Sequence, residues 1–101
     1  MKKDKTPTMA ATRAEPWFVY ILRCGDGSLY AGIAKDVTRR CEQHSAGTAS
    51  RYTRSRLPVR IEYQETQATR SMALKREAAI KAMARLEKES LIRLTMANVH
   101  T

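Results

Sequence analysis

Two short apolar runs near the start of the chain predict a β-hairpin. Residues 17–24 and 28–34 are rich in β-branched and aromatic side chains, which is typical of strands. Residues 25–27 between them read Gly-Asp-Gly, a strong turn signal. The two runs are therefore expected to pair as antiparallel strands.

The length of the turn decides which side chains of the hairpin share a face. A two-residue turn would place Tyr20 and Tyr30 on opposite faces, because a slip of one residue inverts every side chain. A three-residue turn, with Gly27 in the left-handed conformation, pairs Cys24 with Ser28 and places both tyrosines on one face. We expect the three-residue turn, because it also gathers an apolar set on the other face, namely Val19, Ile21, Leu29, Ala31 and Ile33.

A helix is expected over residues 37–46, because Asp36 is a suitable N-cap and Gly47 a suitable stop. Four of its side chains recur at helical spacing and form one stripe. An arginine on such a stripe lies at the inward edge of the helix, where it normally needs an anionic partner. The stripe consists of Val37, Arg40, Cys41 and His44.

The second half of the chain predicts a strand followed by two helices. Residues 59–65 have the composition of a strand, and a cap at Thr69 or Ser71 would begin a helix that runs to about residue 85. A last helix is expected over residues 87–96, where leucine and isoleucine supply apolar contacts. The side chains expected on one face of the strand are Val59, Ile61 and Tyr63.

The predicted element order is β-β-α-β-α-α, which places the chain in the α/β (α+β) class. The expected architecture is a small three-stranded, mainly antiparallel sheet flanked by helices. A length of 101 residues is typical of one domain. Residues 1–16 are expected to form a disordered basic tail, residues 17–96 the folded domain and residues 97–101 a C-terminal tail.

The charge balance favours a polyanion as partner. Nineteen lysines and arginines oppose ten acidic residues, a net charge of +9. A basic surface without a specific ligand is the alternative to such a partner. Residues 47–58 predict a polar, arginine-rich loop. Cys24 and Cys41 lack metal-ligand spacing, and neither a signal-peptide core nor a membrane-length apolar run is visible, so we expect a cytoplasmic protein with reduced thiols.

Four side chains of the hairpin and the first helix suit phosphodiester hydrolysis: Tyr20, Tyr30, Arg40 and His44. The planar fork of arginine matches phosphate oxygens, and tyrosine or histidine can relay a proton from water. Each residue also has an ordinary structural interpretation, as a strand aromatic, a solvated arginine or a histidine at a helix end. Their joint occurrence in a basic chain favours the functional interpretation.

Glu77 is the carboxylate best placed to hold a metal ion. It lies at the border of an apolar arc formed by Ala73, Ile80 and Ala84 on its predicted helix. A single carboxylate can anchor Mg²⁺, since that ion keeps several waters. Glu77 and Lys81 are also an i, i+4 pair, which stabilises a helix by roughly 0.3–0.5 kcal/mol and needs no function. Spacing alone favours the ion pair.

The motifs resemble those of the GIY-YIG endonuclease superfamily. The first motif reads Val19-Tyr20-Ile21, and the second reads Tyr30-Ala31-Gly32. Arg40 follows the second tyrosine by ten residues, and His44 follows Arg40 by four, which is similar to the spacing in that superfamily. The resemblance covers about residues 17–95 and is closest to the small, single-domain bacterial branch.

The resemblance implies a metal-dependent DNA endonuclease that leaves 5′-phosphate and 3′-hydroxyl ends, in DNA repair or processing. It implies Mg²⁺ or Mn²⁺ as cofactor, bound by Glu77. Tyr30 would activate or position the water, and Tyr20 would support it by hydrogen bonding. Arg40 would hold the scissile phosphate, and His44 would accept the proton passed through Tyr30.

Double-stranded or branched DNA is the expected partner, with a repair protein as a further partner. The arginines of the loop would grip the phosphate backbone, Tyr52 would stack on an exposed base and the Thr53 hydroxyl would bind phosphate. A solvated loop is the alternative. The residues expected to contact nucleic acid are Gly32, Lys35, Arg39, Arg51, Tyr52, Thr53, Arg54 and Arg56.

Two positions depart from the pattern of the superfamily and leave other functions open. Ile33 stands where the repair-nuclease branch has a lysine, and Glu89 stands where some members have an asparagine. The first alternative is a nucleic-acid-binding module with the same fold and weak or no catalysis. The second is an adaptor that presents the fold to a larger repair complex.

Overall fold

The computed structural model describes residues 15–99, with side chains through residue 95. Residues 1–14 of the expected basic tail and residues 100–101 at the C-terminus lie outside the described residues. The element order confirms the predicted β-β-α-β-α-α arrangement, with one short helix added before the third strand. The elements are β1 (Trp17–Arg23), β2 (Leu29–Ala34), α1 (Val37–Ser45), α2 (Arg51–Arg54), β3 (Arg60–Gln67), α3 (Arg70–Lys81) and α4 (Arg85–Val99).

The hairpin has the predicted three-residue turn. The Cys24 N–H donates to the Ser28 carbonyl at 2.8 Å, and the Gly27 N–H donates to the Cys24 carbonyl at 2.9 Å. Gly27 has φ of 86°, a conformation that side chains with a Cβ rarely adopt. The pairing of Cys24 with Ser28 is therefore confirmed, and with it the register of β1 on β2.

The strand order is β2-β1-β3, and both pairings are antiparallel. Tyr20 lies opposite Gly32, and Leu22 lies opposite Tyr30. Directly opposed residues project to the same side of a sheet, so both tyrosines share one face, as expected.

The sheet buries both of its faces, each under different helices. One face packs against α3 and α4, and its buried side chains are Val19, Ile21, Ala31, Tyr63, Ala73, Ile80 and Ile92. The other face packs against α1, with Tyr20, Leu22, Ala34 and Val37 buried. Residues 19–22 of β1 are all buried, because the central strand has a packed layer on each side. Full burial of each apolar side chain contributes about 1.5–3 kcal/mol.

The predicted apolar face of β3 is wrong. The pairing of β3 with β1 shifts by one residue at Glu62, which forms a β-bulge. The bulge inverts the alternation, so Tyr63 packs in the core under α3 and α4 while Val59 packs in the core under α1. Ile61 is exposed.

The helices begin at the predicted caps. The Asp36 carboxylate accepts the Arg39 N–H at 3.0 Å, and the Thr69 hydroxyl accepts the Met72 N–H at 3.1 Å. The last two helices differ from expectation: α3 ends at Lys81 and not near residue 85, and α4 spans Arg85–Val99 and not residues 87–96.

The loop predicted over residues 47–58 contains one helical turn, which the sequence analysis did not predict. Residues Arg51–Arg54 form α2, because the Ser50 hydroxyl accepts the Tyr52 N–H at 3.1 Å and caps the turn. Cys24 and Cys41 are not joined by a disulfide. Within residues 15–99, every helix is too short or too polar to span a membrane.

An ion-pair network joins α4 to the end of β1. The Arg23 guanidinium donates two hydrogen bonds to Glu89, at 2.7 and 2.8 Å, and one to Glu62 at 3.1 Å. Arg85 adds a bond from its side chain to the Gly27 carbonyl at 2.9 Å. Hydrogen bonds from Arg23 are the main cause that lowers the pKa of Glu89 from its usual 4.5 to about 2. Glu89 therefore stabilises the packing of α4 on the hairpin.

Replacement of Glu89 by glutamine is expected to lower the midpoint of thermal unfolding at pH 7 by roughly 5–10 °C, because charge-assisted bonds to Arg23 are lost. The pKa of Glu89 is lower in the folded protein than in the unfolded chain. The contribution of Glu89 to the free energy of unfolding is thus complete above pH 4.5 and is lost as the pH falls towards 2. Calorimetric unfolding at pH 7, 5, 4 and 3 checks this.

The control is Glu42→Gln, which removes the same charge from an exposed position on α1. The difference in stability between wild type and Glu89→Gln should shrink steadily with falling pH, while the control should follow the wild type. Parallel curves for wild type and Glu89→Gln would contradict the prediction.

Candidate active site

A buried hydrogen bond joins the central strand to α1. Tyr20 and His44 are 2% and 0% exposed, and the Tyr20 hydroxyl lies 3.0 Å from His44 Nε2. His44 is in the last turn of α1, on the stripe that the sequence placed inward. Two residues that are far apart in the chain therefore meet between the sheet and the helix.

The second ring nitrogen of His44 contacts α2. His44 Nδ1 lies 2.8 Å from the Thr53 hydroxyl oxygen, and Thr53 is fully buried. The Thr53 hydroxyl donates in turn to the Ser50 carbonyl at 3.3 Å. The sequence interpretation gave Thr53 a phosphate contact, but the structure buries its hydroxyl against the imidazole. Sequence reasoning missed this contact, for which the only local signal was a cap residue at Ser50.

Burial and one nearby charge set the protonation of the pair. Burial raises the pKa of Tyr20 to about 12, and the Arg40 guanidinium lowers it in part. Burial also lowers the pKa of His44, and the charge of Arg40 lowers it further. At pH 7 the phenol and the imidazole are therefore both neutral.

Gly32 provides the space that the Tyr20 ring occupies. A Cβ built on Gly32 would lie 2.5 Å from the Tyr20 hydroxyl oxygen and 2.7 Å from its Cζ. Since no real side chain tolerates such contacts, the glycine of the second motif has a packing reason here. A contact of Gly32 with nucleic acid stays a prediction.

Tyr30 lies beside the Tyr20–His44 pair and is only half-buried. Its ring meets the His44 ring edge-on, with centroids 5.1 Å apart, and stacks on Tyr52 at 5.7 Å. The Lys81 ammonium lies 6.0 Å from the centroid of the same ring. The resemblance implies a proton path from Tyr30 to His44, whereas the hydrogen bond seen here joins His44 to Tyr20.

Arg40 lines a cleft of about 400 Å³ between α1, the start of β1 and the end of β2. The cleft is also lined by Lys35, Arg39 and Gln43, and Arg40 donates to the Gln43 side chain at 3.0 Å. No ion pair joins Arg40 to a carboxylate of residues 15–99. This half-buried guanidinium can therefore receive an anion from the cleft.

Glu77 on α3 is linked to Tyr30 through Lys81. Its side chain is 18% exposed and lies 3.4 Å from the Lys81 ammonium, which also contacts the Tyr30 ring. After burial and Tyr30, the charge of Glu77 is a further cause that raises the pKa of Tyr20. The predicted i, i+4 pair is present, and it lies next to the candidate catalytic residues.

A single-carboxylate site fits Mg²⁺ or Mn²⁺. Within residues 15–99, no group of three or more His, Cys, Asp or Glu side chains could hold a metal ion together. Closed zinc sites need such a group, whereas Mg²⁺ keeps several waters and takes phosphate oxygens as further ligands. A single carboxylate is thus compatible with Mg²⁺ or Mn²⁺, and Glu77 as the metal ligand stays a prediction.

The basic residues of the predicted interface fall into two groups. Lys35, Arg39, Arg51 and Arg54 are exposed. Arg56 is engaged with the protein, because its guanidinium lies 3.9 Å over the Tyr52 ring and its Nε lies 3.2 Å from an Asp26 oxygen. In this arrangement the Tyr52 ring contacts both Arg56 and Tyr30, so a nucleic-acid base would have to displace one of them.

The chain is similar to known proteins in sequence and in fold. The family model of the GIY-YIG catalytic domain matches residues 16–89. A UPF0213 protein of Staphylococcus aureus strain Mu3 is 53% identical over 76 residues, which cover 75% of this chain and 93% of that protein. The UPF0213 protein SAV0488 of Staphylococcus aureus strain Mu50 gives the same values.

Two solved structures are similar in fold and sequence. The UPF0213 protein BH0048 from Bacillus halodurans is 38% identical, with a TM-score of 0.51 and coverage of 78% of this chain and 84% of that chain. The protein EF2693 from E. faecalis is 36% identical, with a TM-score of 0.57 and coverage of 83% and 90%. The chain therefore belongs to the GIY-YIG family, among its small single-domain UPF0213 members.

Proposed function

We propose that the protein is a metal-dependent DNA endonuclease that hydrolyses phosphodiester bonds to 5′-phosphate and 3′-hydroxyl ends. The observation that carries the proposal is the buried Tyr20–His44 hydrogen bond beside Arg40, a half-buried cation that faces a cleft. Membership of the GIY-YIG nuclease family supports the same chemistry.

Arg40 holds the scissile phosphate in this proposal. A phosphate bound there would offset the positive charge that lowers the pKa of His44. Substrate binding would therefore make His44 a better proton acceptor at the moment when water is attacked. The same anion would meet a planar donor fork that matches its oxygens.

Tyr30 positions the attacking water, because it is the less buried of the two tyrosines. Tyr20 and His44 lie behind it as a neutral pair, and a proton can pass from the Tyr20 hydroxyl to His44 Nε2 across 3.0 Å. The supporting role of Tyr20 is thus to connect the reacting centre to His44.

Glu77 is the residue that would hold Mg²⁺ or Mn²⁺. When bound, the ion would stabilise negative charge on the departing oxygen. The partly buried carboxylate beside Tyr30 supports this assignment.

The proposed DNA surface combines two groups of basic residues. Lys35 and Arg39 lie at the cleft, and Arg51 and Arg54 lie exposed on α2. The net charge of +9 supports a polyanionic substrate. A role in DNA repair and a repair protein as partner are proposed from the resemblance alone, and a cytoplasmic location is proposed from the sequence alone.

A nucleic-acid-binding module with weak or no catalysis is the second candidate. One observation favours it: Glu89, at a position where some relatives have asparagine, is bound to Arg23 on the opposite face of the sheet from Tyr20. Glu89 is then not available to the candidate active site in the place of that asparagine.

Cleavage of supercoiled, branched and single-stranded DNA with Mg²⁺ or Mn²⁺ tests the two candidates. Wild type should nick at least one of these substrates, and both Glu77→Gln and Tyr30→Phe should reduce the rate by about 10²-fold or more, because metal binding and water positioning are lost. Single-turnover assays on gels measure the rate.

Glu42→Gln is the matched control for Glu77→Gln and should cleave like the wild type, since Glu42 is exposed on α1. Equal traces of cleavage in all four proteins would indicate a contaminant. DNA binding without cleavage by the wild type would favour the binding module.

The exposed arginines of α2 are expected to contact the phosphate backbone. Replacement of Arg51 and Arg54 by glutamine should weaken DNA binding and reduce the slope of log K against log salt by about 1.8 for duplex DNA, because two fewer counterions are released. Fluorescence anisotropy of labelled DNA, at salt concentrations from about 50 to about 200 mM, measures the affinity and the slope.

The control variant is Lys75→Gln with Arg93→Gln, which removes the same charge from exposed positions on α3 and α4. Its affinity should change less, and its slope should match the wild type. A slope that is unchanged in the Arg51/Arg54 variant would show that α2 does not contact phosphates.

A further inference from the structure

The segment between α1 and β3 places one fully buried hydroxyl against the candidate proton acceptor. The Thr53 hydroxyl oxygen lies 2.8 Å from His44 Nδ1, and neither residue is exposed to solvent. Ser50 and α2 hold Thr53 in place, since the Ser50 carbonyl accepts from the Arg54 N–H at 3.0 Å and from the Thr53 hydroxyl at 3.3 Å.

The direction of these hydrogen bonds follows from the number of protons. The Thr53 hydroxyl has one proton, which can be donated either to the Ser50 carbonyl at 3.3 Å or to His44 Nδ1 at 2.8 Å. With the imidazole proton on Nε2, Thr53 donates to Nδ1 and its contact with Ser50 is no hydrogen bond; with the proton on Nδ1, the contacts of His44 with Thr53, of Thr53 with Ser50 and of Tyr20 with His44 are all hydrogen bonds, which favours Nδ1–H. His44 Nε2 is left without a proton and can accept from the Tyr20 hydroxyl at 3.0 Å.

The charge of Arg40 supports the same direction, because it lowers the pKa of the Tyr20 hydroxyl in part and so favours a phenol that donates its proton to a neighbouring base.

We propose that Thr53 is a positioning residue, whose hydroxyl holds His44 as the Nδ1–H tautomer and so keeps Nε2 available as the proton acceptor for Tyr20. The other tautomer would direct an N–H at the phenol and leave the Tyr20 proton without this acceptor. The catalytic consequence rests on the proposed function, whereas the tautomer is a property of the folded chain by itself.

Nitrogen-15 NMR of labelled histidine tests the proposal directly, because the two tautomers exchange the chemical shifts of Nδ1 and Nε2. Wild type should show His44 as the Nδ1–H tautomer at pH 7, and Thr53→Ser should keep that pattern. Thr53→Val has the same shape without the hydroxyl, so it should lose the single tautomer. His44→Gln assigns the signals, since the chain has two histidines.

Two results would overturn the proposal: an Nε2–H tautomer in the wild type, or an unchanged His44 pattern in Thr53→Val. The wild-type spectrum decides which tautomer His44 adopts, even where Thr53→Val does not fold.

Cleavage kinetics test the catalytic consequence. Thr53→Val should reduce kcat at least tenfold with little change in KM, and Thr53→Ser should restore most of it, because serine keeps the hydroxyl. An unaltered kcat in a folded Thr53→Val would overturn the positioning role. If the wild type cleaves no DNA, the proposed function fails, while the NMR result still decides the tautomer.

Discussion

The hydrogen bond between Tyr20 and His44 ties the sheet to the helix that covers it. A phenol or an imidazole buried without a partner costs about 1–3 kcal/mol, so both groups must be satisfied where water is excluded. Tyr20 and Thr53 together satisfy both nitrogens of His44. The central strand, α1 and α2 can therefore pack only in an arrangement that keeps these three side chains in contact.

The same constraint explains the composition of the site. Tyr20 can enter the core under α1 because Gly32, opposite it on β2, has no side chain to exclude the ring. Burial keeps the phenol and the imidazole neutral, and Arg40 at the edge is the charge that acts on both. A neutral pair beside a cation that faces a cleft is suited to move a proton once an anion arrives.

Much of the fold could be predicted because its signals are local. The turn at Gly27 and the caps at Asp36 and Thr69 depend on residues within a few positions of one another. The bulge at Glu62 was not predictable from alternation, because that residue is displaced from the regular pairing to meet Arg23 of another strand. Helix α2 was missed because a single capped turn has no periodic pattern.

The sequence by itself determined that Tyr20 and Tyr30 share a face and that His44 points inward, since strand and helix periods are properties of neighbouring residues. Only the tertiary structure decided that His44 bonds to Tyr20 and Thr53, and that Glu77 with Lys81 lies beside Tyr30. These partners are distant in the chain, and their contacts depend on how α1, α2 and α3 pack around one sheet, which no local period specifies.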